Sequence, residues 1–225
     1  MSENGPNMLS SEEIKQAVST TVEGGVDVRA KVRDLTLQAL RTRRLDHEEI
    51  KPVITAVTEG ISIGAAKHAG EVKAALSEAL AGLDEALTKA AEATRLALEQ
   101  LTSQARDFTE NDLDWALVNL KRLEEEFLDT VSVVADSATG RIKQEMKDLI
   151  AHARRAGTDT GAKVAETVST LNTKVSATLH EGKAAGKDAA REMSARLASL
   201  ASGILAGMAD ALHEKAEKLK GKSGE

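Results

Sequence analysis

The chain has 225 residues, with 30 basic and 36 acidic side chains and a net charge of −6. Phe108, Trp115 and Phe127 are its only aromatic residues, it has neither tyrosine nor cysteine, and its two prolines are Pro6 and Pro52. This composition excludes disulfides, thiolate metal sites and a cysteine nucleophile. The charge is spread along the chain and not gathered on one basic element, so no nucleic acid partner is expected.

Alanine occurs 37 times. Small apolar side chains in place of rings suit helices packed in thin layers or laid on an apolar surface. The expected fold class is therefore all-α: long amphipathic helices in an elongated antiparallel bundle, preceded by two short N-terminal helices.

Residues 1–9 are polar and are expected to be disordered, with no charged-then-apolar leader pattern, which suggests a cytoplasmic protein. Ser10-Ser11-Glu12-Glu13 fits a capping box that opens a short helix ending at Gly24-Gly25. A second short helix, about 27 to 43, carries Val28, Val32, Leu35 and Ala39 on one face and closes the 10–45 segment. Asp46 can cap the next helix, with Pro52 tolerated in its first turns.

The long-helix bundle is expected over 46–219, in helices of about 47–106, 112–156 and 160–219. If 53–106 is one helix it spans about 80 Å. Its apolar positions Leu76, Leu80, Leu83, Leu87, Ala90, Leu98 and Leu101 step by three and four, with Thr94 the one polar intrusion. The 112–156 helix has the best core pattern, including Leu120, Leu123, Phe127, Val131, Val134 and Ile142, so the tightest packing is expected there. Phe108, Trp115 and Phe127 at its start are the candidate anchor of the fold. Thr158 or Asp159 can cap the third helix, whose apolar stripe repeats every 3.67 residues or about eleven per three turns, a nearly straight seam. Residues 220–225 read as a frayed tail.

Four Gly-x-x-x-Gly spacings occur, at Gly60 and Gly64, Gly157 and Gly161, Gly182 and Gly186, and Gly203 and Gly207. Such pairs let helix backbones approach, or they mark kinks at a cost of about 1 kcal/mol each. The pair at Gly203 and Gly207 lies inside an apolar run and is the strongest candidate for contact. Thr21 to Val26 and Val57 to Ser62 form a short internal echo around Glu-Gly, which long helical sequences also produce by chance.

The five histidines are scattered, and only Asp210 with His213 has the three-residue spacing of a helical-bundle metal site. Solvated helix residues are the expected reading, as they are for Glu124-Glu125-Glu126, while Asp148 with His152 one turn apart reads as a surface pair. Gly182 to Lys187 superficially suggests a phosphate loop but lacks the required order and a preceding strand. No catalytic residue, metal or cofactor is expected.

The run Leu197 to Ala209 has no charge but is too short to cross a bilayer, which takes about twenty residues. Bordered by lysines and hydroxyls, it can lie on a partner helix or in an interface. Leu197, Leu200, Gly203, Ile204, Gly207, Met208 and Leu212 are the candidate partner-binding residues. Over Val164 to Leu219, the stretches Thr-Leu-Asn-Thr-Lys-Val and His-Glu-Gly-Lys-Ala-Ala-Gly-Lys, with the Ala-rich amphipathic run, resemble the surface-coating helices of phasins and apolipoproteins. The resemblance covers a quarter to a half of the chain. It implies a non-enzymatic coat on polyester storage granules or lipid. Alternatives are a self-associating scaffold that binds helical protein partners and, less favoured, a helical-bundle metalloenzyme.

Overall fold

The computed structural model describes residues 9–41, 43, 45–104, 110–175 and 196–211. Among them there is no strand, and seven helices occur in order: α1 Ser11–Gly24, α2 Val28–Leu40, α3 His47–Lys67, α4 Val72–Gln104, α5 Glu110–Ser137, α6 Gly140–Ala156 and α7 Asp159–Val175. Residues 196–211 are also helical. The fold is all-α, as the composition required.

Helix ends follow local chemistry. The Ser10 hydroxyl accepts the Glu13 N–H at 3.2 Å while the Ser10 N–H donates to Glu13 Oε2 at 2.8 Å, the reciprocal capping box read from the sequence. Asp46 Oδ1 accepts the Glu49 N–H at 3.1 Å and starts α3. Gly25, at φ 69°, ends α1 in a left-handed turn that a β-carbon would disfavour. Thr94, the polar intrusion in the α4 stripe, is satisfied by donating to the Ala90 carbonyl at 2.9 Å.

Two helices expected to be continuous are broken. The 47–106 helix is interrupted because His68 leaves the helical region, at φ −64° and ψ 126°, and Gly70 follows it. His68 Nδ1–H donates to the Glu23 carbonyl at 3.0 Å, tying the α3–α4 turn to the end of α1. The 112–156 helix is interrupted at Ala138-Thr139, where Gly140 takes φ 56° and begins α6. Both breaks let the chain fold back and bury a second stripe, which a single rod could not do. The third helix is described as α7 and, beyond residues outside the described set, as 196–211. Residues 1–8 and 220–225 lie outside that set. Leu9 does not fray: it packs against the core and accepts from Arg43 Nη2 at 2.8 Å.

The two short helices pack directly on the long ones, α1 on α3 and α2 on α4. Lys15 and Val18 meet Gly60, Ser19 and Val22 meet Gly64, and Glu23 meets His68, so α1 and α3 run in the same direction. A β-carbon at Gly60 would lie 2.6 Å from the Lys15 carbonyl oxygen and 2.9 Å from Val18 Cβ, and one at Gly64 would strike the Ser19 carbonyl. Close backbone approach is the function of these glycines. Gly82 does the same for α4 against Arg29 of α2. The adjacent pair α1–α3 is thus parallel, while the expected antiparallel order concerned the three long helices alone. The internal echo has no structural counterpart, since Gly24 ends a helix in open space while Gly60 sits mid-helix in a seam.

The tightest packing lies in the first hundred residues and not in 112–156. Ile14, Leu40, Ile54, Ile61, Leu76, Leu83, Leu87 and Leu98 are among the largest fully buried side chains, and the described side chains of α5 and α6 add only Met146 to that set. Alanines 79, 86, 91, 93 and 97 of α4 are completely buried. Alanine lets α4 accept neighbours on several sides at short range, so a dense interior forms without rings.

Candidate interaction surface

The apolar run near the C-terminus is not a free surface in this fold. Leu197, at 5 % exposure, and Ala201, at 1 %, pack with Ala97, Leu98 and Leu117, and Leu205 is completely buried in the main core. Leu200, Ile204 and Met208 are half-buried along the edge of the contact. Gly203 and Gly207 face outward with nothing within 4 Å of a β-carbon at either position, so the expected contact at this pair is absent among the described residues. Among the described residues, the pair that makes close backbone contact is Gly60 and Gly64. Leu212 lies outside the described residues.

Arg41 makes two polar ties between the body and this helix. Arg41 Nη1 is 3.3 Å from Asp210 Oδ1, and the Arg41 carbonyl accepts the Ser202 hydroxyl at 3.3 Å. Both ion-pair partners are well exposed, at 43 % and 68 %, where such a pair contributes about 0–1 kcal/mol. Asp210, which the spacing paired with His213, is therefore engaged with Arg41. His213 lies outside the described residues.

Beneath the 196–211 helix is a narrow cleft between α3, α4 and α5, floored by Ile50, Ala90, Leu120 and Leu123. Its free volume is about 40 Å³, room for two or three waters at roughly 10–15 Å³ each. At its rim, Glu126 Oε1 is 3.4 Å from His47 Nδ1 and 3.7 Å from Lys51 Nζ. Glu126 is thus half-buried between α3 and α5 and does not belong to a solvated acidic face.

Glu124 corrects the same expectation. It accepts the Thr158 hydroxyl at 2.8 Å, while Thr158 Oγ accepts the Gly161 N–H at 2.9 Å and caps α7, one of the two caps read from the sequence. Asp84 of α4 completes this helix start from across the bundle. Its Oδ2 accepts the Asp159 N–H at 2.9 Å and its Oδ1 the Thr160 N–H at 3.1 Å. Burial pushes the Asp84 carboxyl above its ordinary value, against the pull of the Thr160 and Asp159 hydrogen bonds. Sequence reasoning missed Asp84. The one local signal was Thr88 a turn later, whose hydroxyl lies 3.3 Å from that of Thr160.

Of the three rings, Phe127 is buried at 5 % exposure in the main core. Phe108 and the side chain of Trp115 lie outside the described residues, as do Gly182 to Lys187. Asp148 accepts from Gln144 Nε2 at 3.1 Å, a partner other than the expected His152. Among the described residues no group of three His, Asp or Glu side chains is placed to hold a metal, and no helix is long and apolar enough to cross a membrane.

A family model described as a family of unknown function, DUF6781, matches residues 4–214. No curated protein matches the chain. No solved structure matches it either.

Proposed function

The chain belongs to the DUF6781 family, and for this member we propose a non-catalytic interaction role in which the helix of residues 196–211 is the binding arm for an apolar surface. The carrying observation is the manner of its docking. One edge of the arm leaves Leu200, Ile204 and Met208 half-buried, and Arg41 ties it to the body through an exposed ion pair and one hydroxyl. Leu205 is the one large side chain of the described arm that is completely buried, against Leu76, Leu83, Leu87 and Leu98 in α4, so the arm opens at lower free energy than α4.

Once released, Leu197, Leu200, Ile204, Leu205 and Met208 form one apolar stripe able to lie in a lipid or polyester interface, as the resemblance to phasins and apolipoproteins implies. The surface is peripheral to the membrane in this reading, and the working compartment is the cytoplasm. The test is co-sedimentation of the full chain with phosphatidylcholine vesicles and with polyester granules, against a chain lacking residues 190–219. Sedimentation of the full chain alone supports the arm. Full-chain protein that stays in the supernatant with both surfaces overturns the coat.

A second reading, a self-associating scaffold, is favoured by α5. Val118 and Val133 are 53 % and 66 % exposed about four turns apart on its outer side, where a second copy could cover them. Light scattering that gives a monomer mass across protein concentration would remove this reading.

A further inference from the structure

We propose that Arg41 is the latch that keeps the 196–211 arm closed. The inference rests on the reading of that helix as the binding arm, and it names what regulates it. Arg41 is the residue at the C-terminal end of α2, and it holds the arm at two points eight residues apart. Its guanidinium meets Asp210 near one end, and its carbonyl accepts the Ser202 hydroxyl near the middle. Eight helical residues span about 12 Å, so a single side chain and its own backbone fix the orientation of the arm over more than two turns.

The placement makes the latch selective for the arm. Arg41 is exposed, whereas the residues it keeps covered, Ala201 and Leu205, are completely or almost completely buried. The outward glycines also matter. Gly203 and Gly207 fill no contact, and each weakens an isolated helix by about 1 kcal/mol relative to alanine. A released arm is therefore a poor helix in water and regains order when it meets a surface. A dense anionic surface competes directly for the Arg41 guanidinium, and salt screens the Arg41–Asp210 pair.

The test exploits a chain without cysteine. Ala201→Cys places a reporter thiol under the arm, Leu205→Cys is a second reporter in case the first disturbs packing, and Ala86→Cys in the buried face of α4 is the control. Maleimide modification of the full chain is measured in each background. Arg41→Ala and Asp210→Asn should each raise the rate under the arm by about two- to fivefold, the range of an exposed ion pair. They should leave the rate at position 86 unchanged. Raised salt should accelerate the wild-type background and not the variants.

Equal rates with and without Arg41, or a rise of the same size at position 86, would overturn the latch. Phosphatidylcholine and phosphatidylglycerol vesicles form a separate arm of the experiment. A latch seen by maleimide with no vesicle binding removes the coat reading alone, and vesicle binding that is indifferent to Arg41→Ala removes the latch alone.

Discussion

Asp84 and Thr160 are joined twice: the Asp84 carboxylate accepts the Thr160 N–H at 3.1 Å, and the Asp84 carbonyl accepts the Thr160 hydroxyl at 3.0 Å. Thr160 is completely buried there. The α7 N-terminus is thus capped by Thr158 of its own chain segment and by a carboxylate from α4, which locks the second half of the molecule to the first. Asp84→Ala leaves the Asp159 and Thr160 N–H groups without that acceptor and should lower stability by about 1–3 kcal/mol. Asp84→Asn keeps one acceptor oxygen and should lose less. Urea denaturation of the two variants measures the order, and equal losses would show that the carboxylate does not act as a cap.

The same carboxyl sets a pH dependence of definite sign. Its folded-state value is raised above the ordinary 3.8, chiefly by burial. Its contribution to stability is therefore fully present below that ordinary value and is lost as pH rises through the raised folded value. Relative to Asp84→Asn, the wild type should become less stable as pH rises from about 3.8 through that window. Denaturation midpoints of both proteins across pH 3–7 check this, and a wild type that gains on the variant over that interval would reverse the assignment.

Gly60 and Gly203 should respond oppositely to the same substitution. A methyl at Gly60 meets the Lys15 carbonyl and Val18, so Gly60→Ala must separate α1 from α3 and should destabilise by about 1–3 kcal/mol. At Gly203 a methyl meets nothing within 4 Å, and Gly203→Ala should stabilise by up to about 1 kcal/mol through helix propensity. Thermal melts of the two variants distinguish packing glycines from loosening ones.

The position of the core makes a fourth comparison. Leu87→Ala, at a completely buried site of α4, should cost about 2–5 kcal/mol. Val133→Ala, at 66 % exposure on α5, should change monomer stability by less than about 0.5 kcal/mol. A larger loss from the α5 change would place the main stabilising core where the sequence pattern alone put it.

Much of the local structure was legible before any tertiary contact. Ser10 with Glu13, Asp46 and Thr158 announce helix starts because capping is a matter of a few covalently adjacent atoms. The three- and four-residue spacing of Leu76, Leu80, Leu83 and Leu87 declares a helix because periodicity is a property of one element. The abundance of alanine and scarcity of rings pointed to helices packed through small side chains or laid on an apolar surface, and alanines 79, 86, 91, 93 and 97 of α4 are completely buried against neighbouring helices.

Partner choice was decided only in three dimensions. The sequence offers four Gly-x-x-x-Gly pairs of the same form, and nothing local says that Gly60 and Gly64 meet α1 while Gly203 and Gly207 face outward. The breaks at His68 and Ala138 exchange a few helical hydrogen bonds for burial of a second face, an exchange set by distant residues such as Glu23. Glu124 and Glu126 read as surface charges, and Asp84 was not singled out, because a carboxylate's role depends on which helix end or cation is brought to it. The sequence by itself determined the all-α class and the capped starts of α1, α3 and α7, since these depend on short-range sterics and hydrogen bonding. Tertiary structure alone decided which stripe each helix buries and which charges are capped, because burial is a property of pairs far apart in the chain.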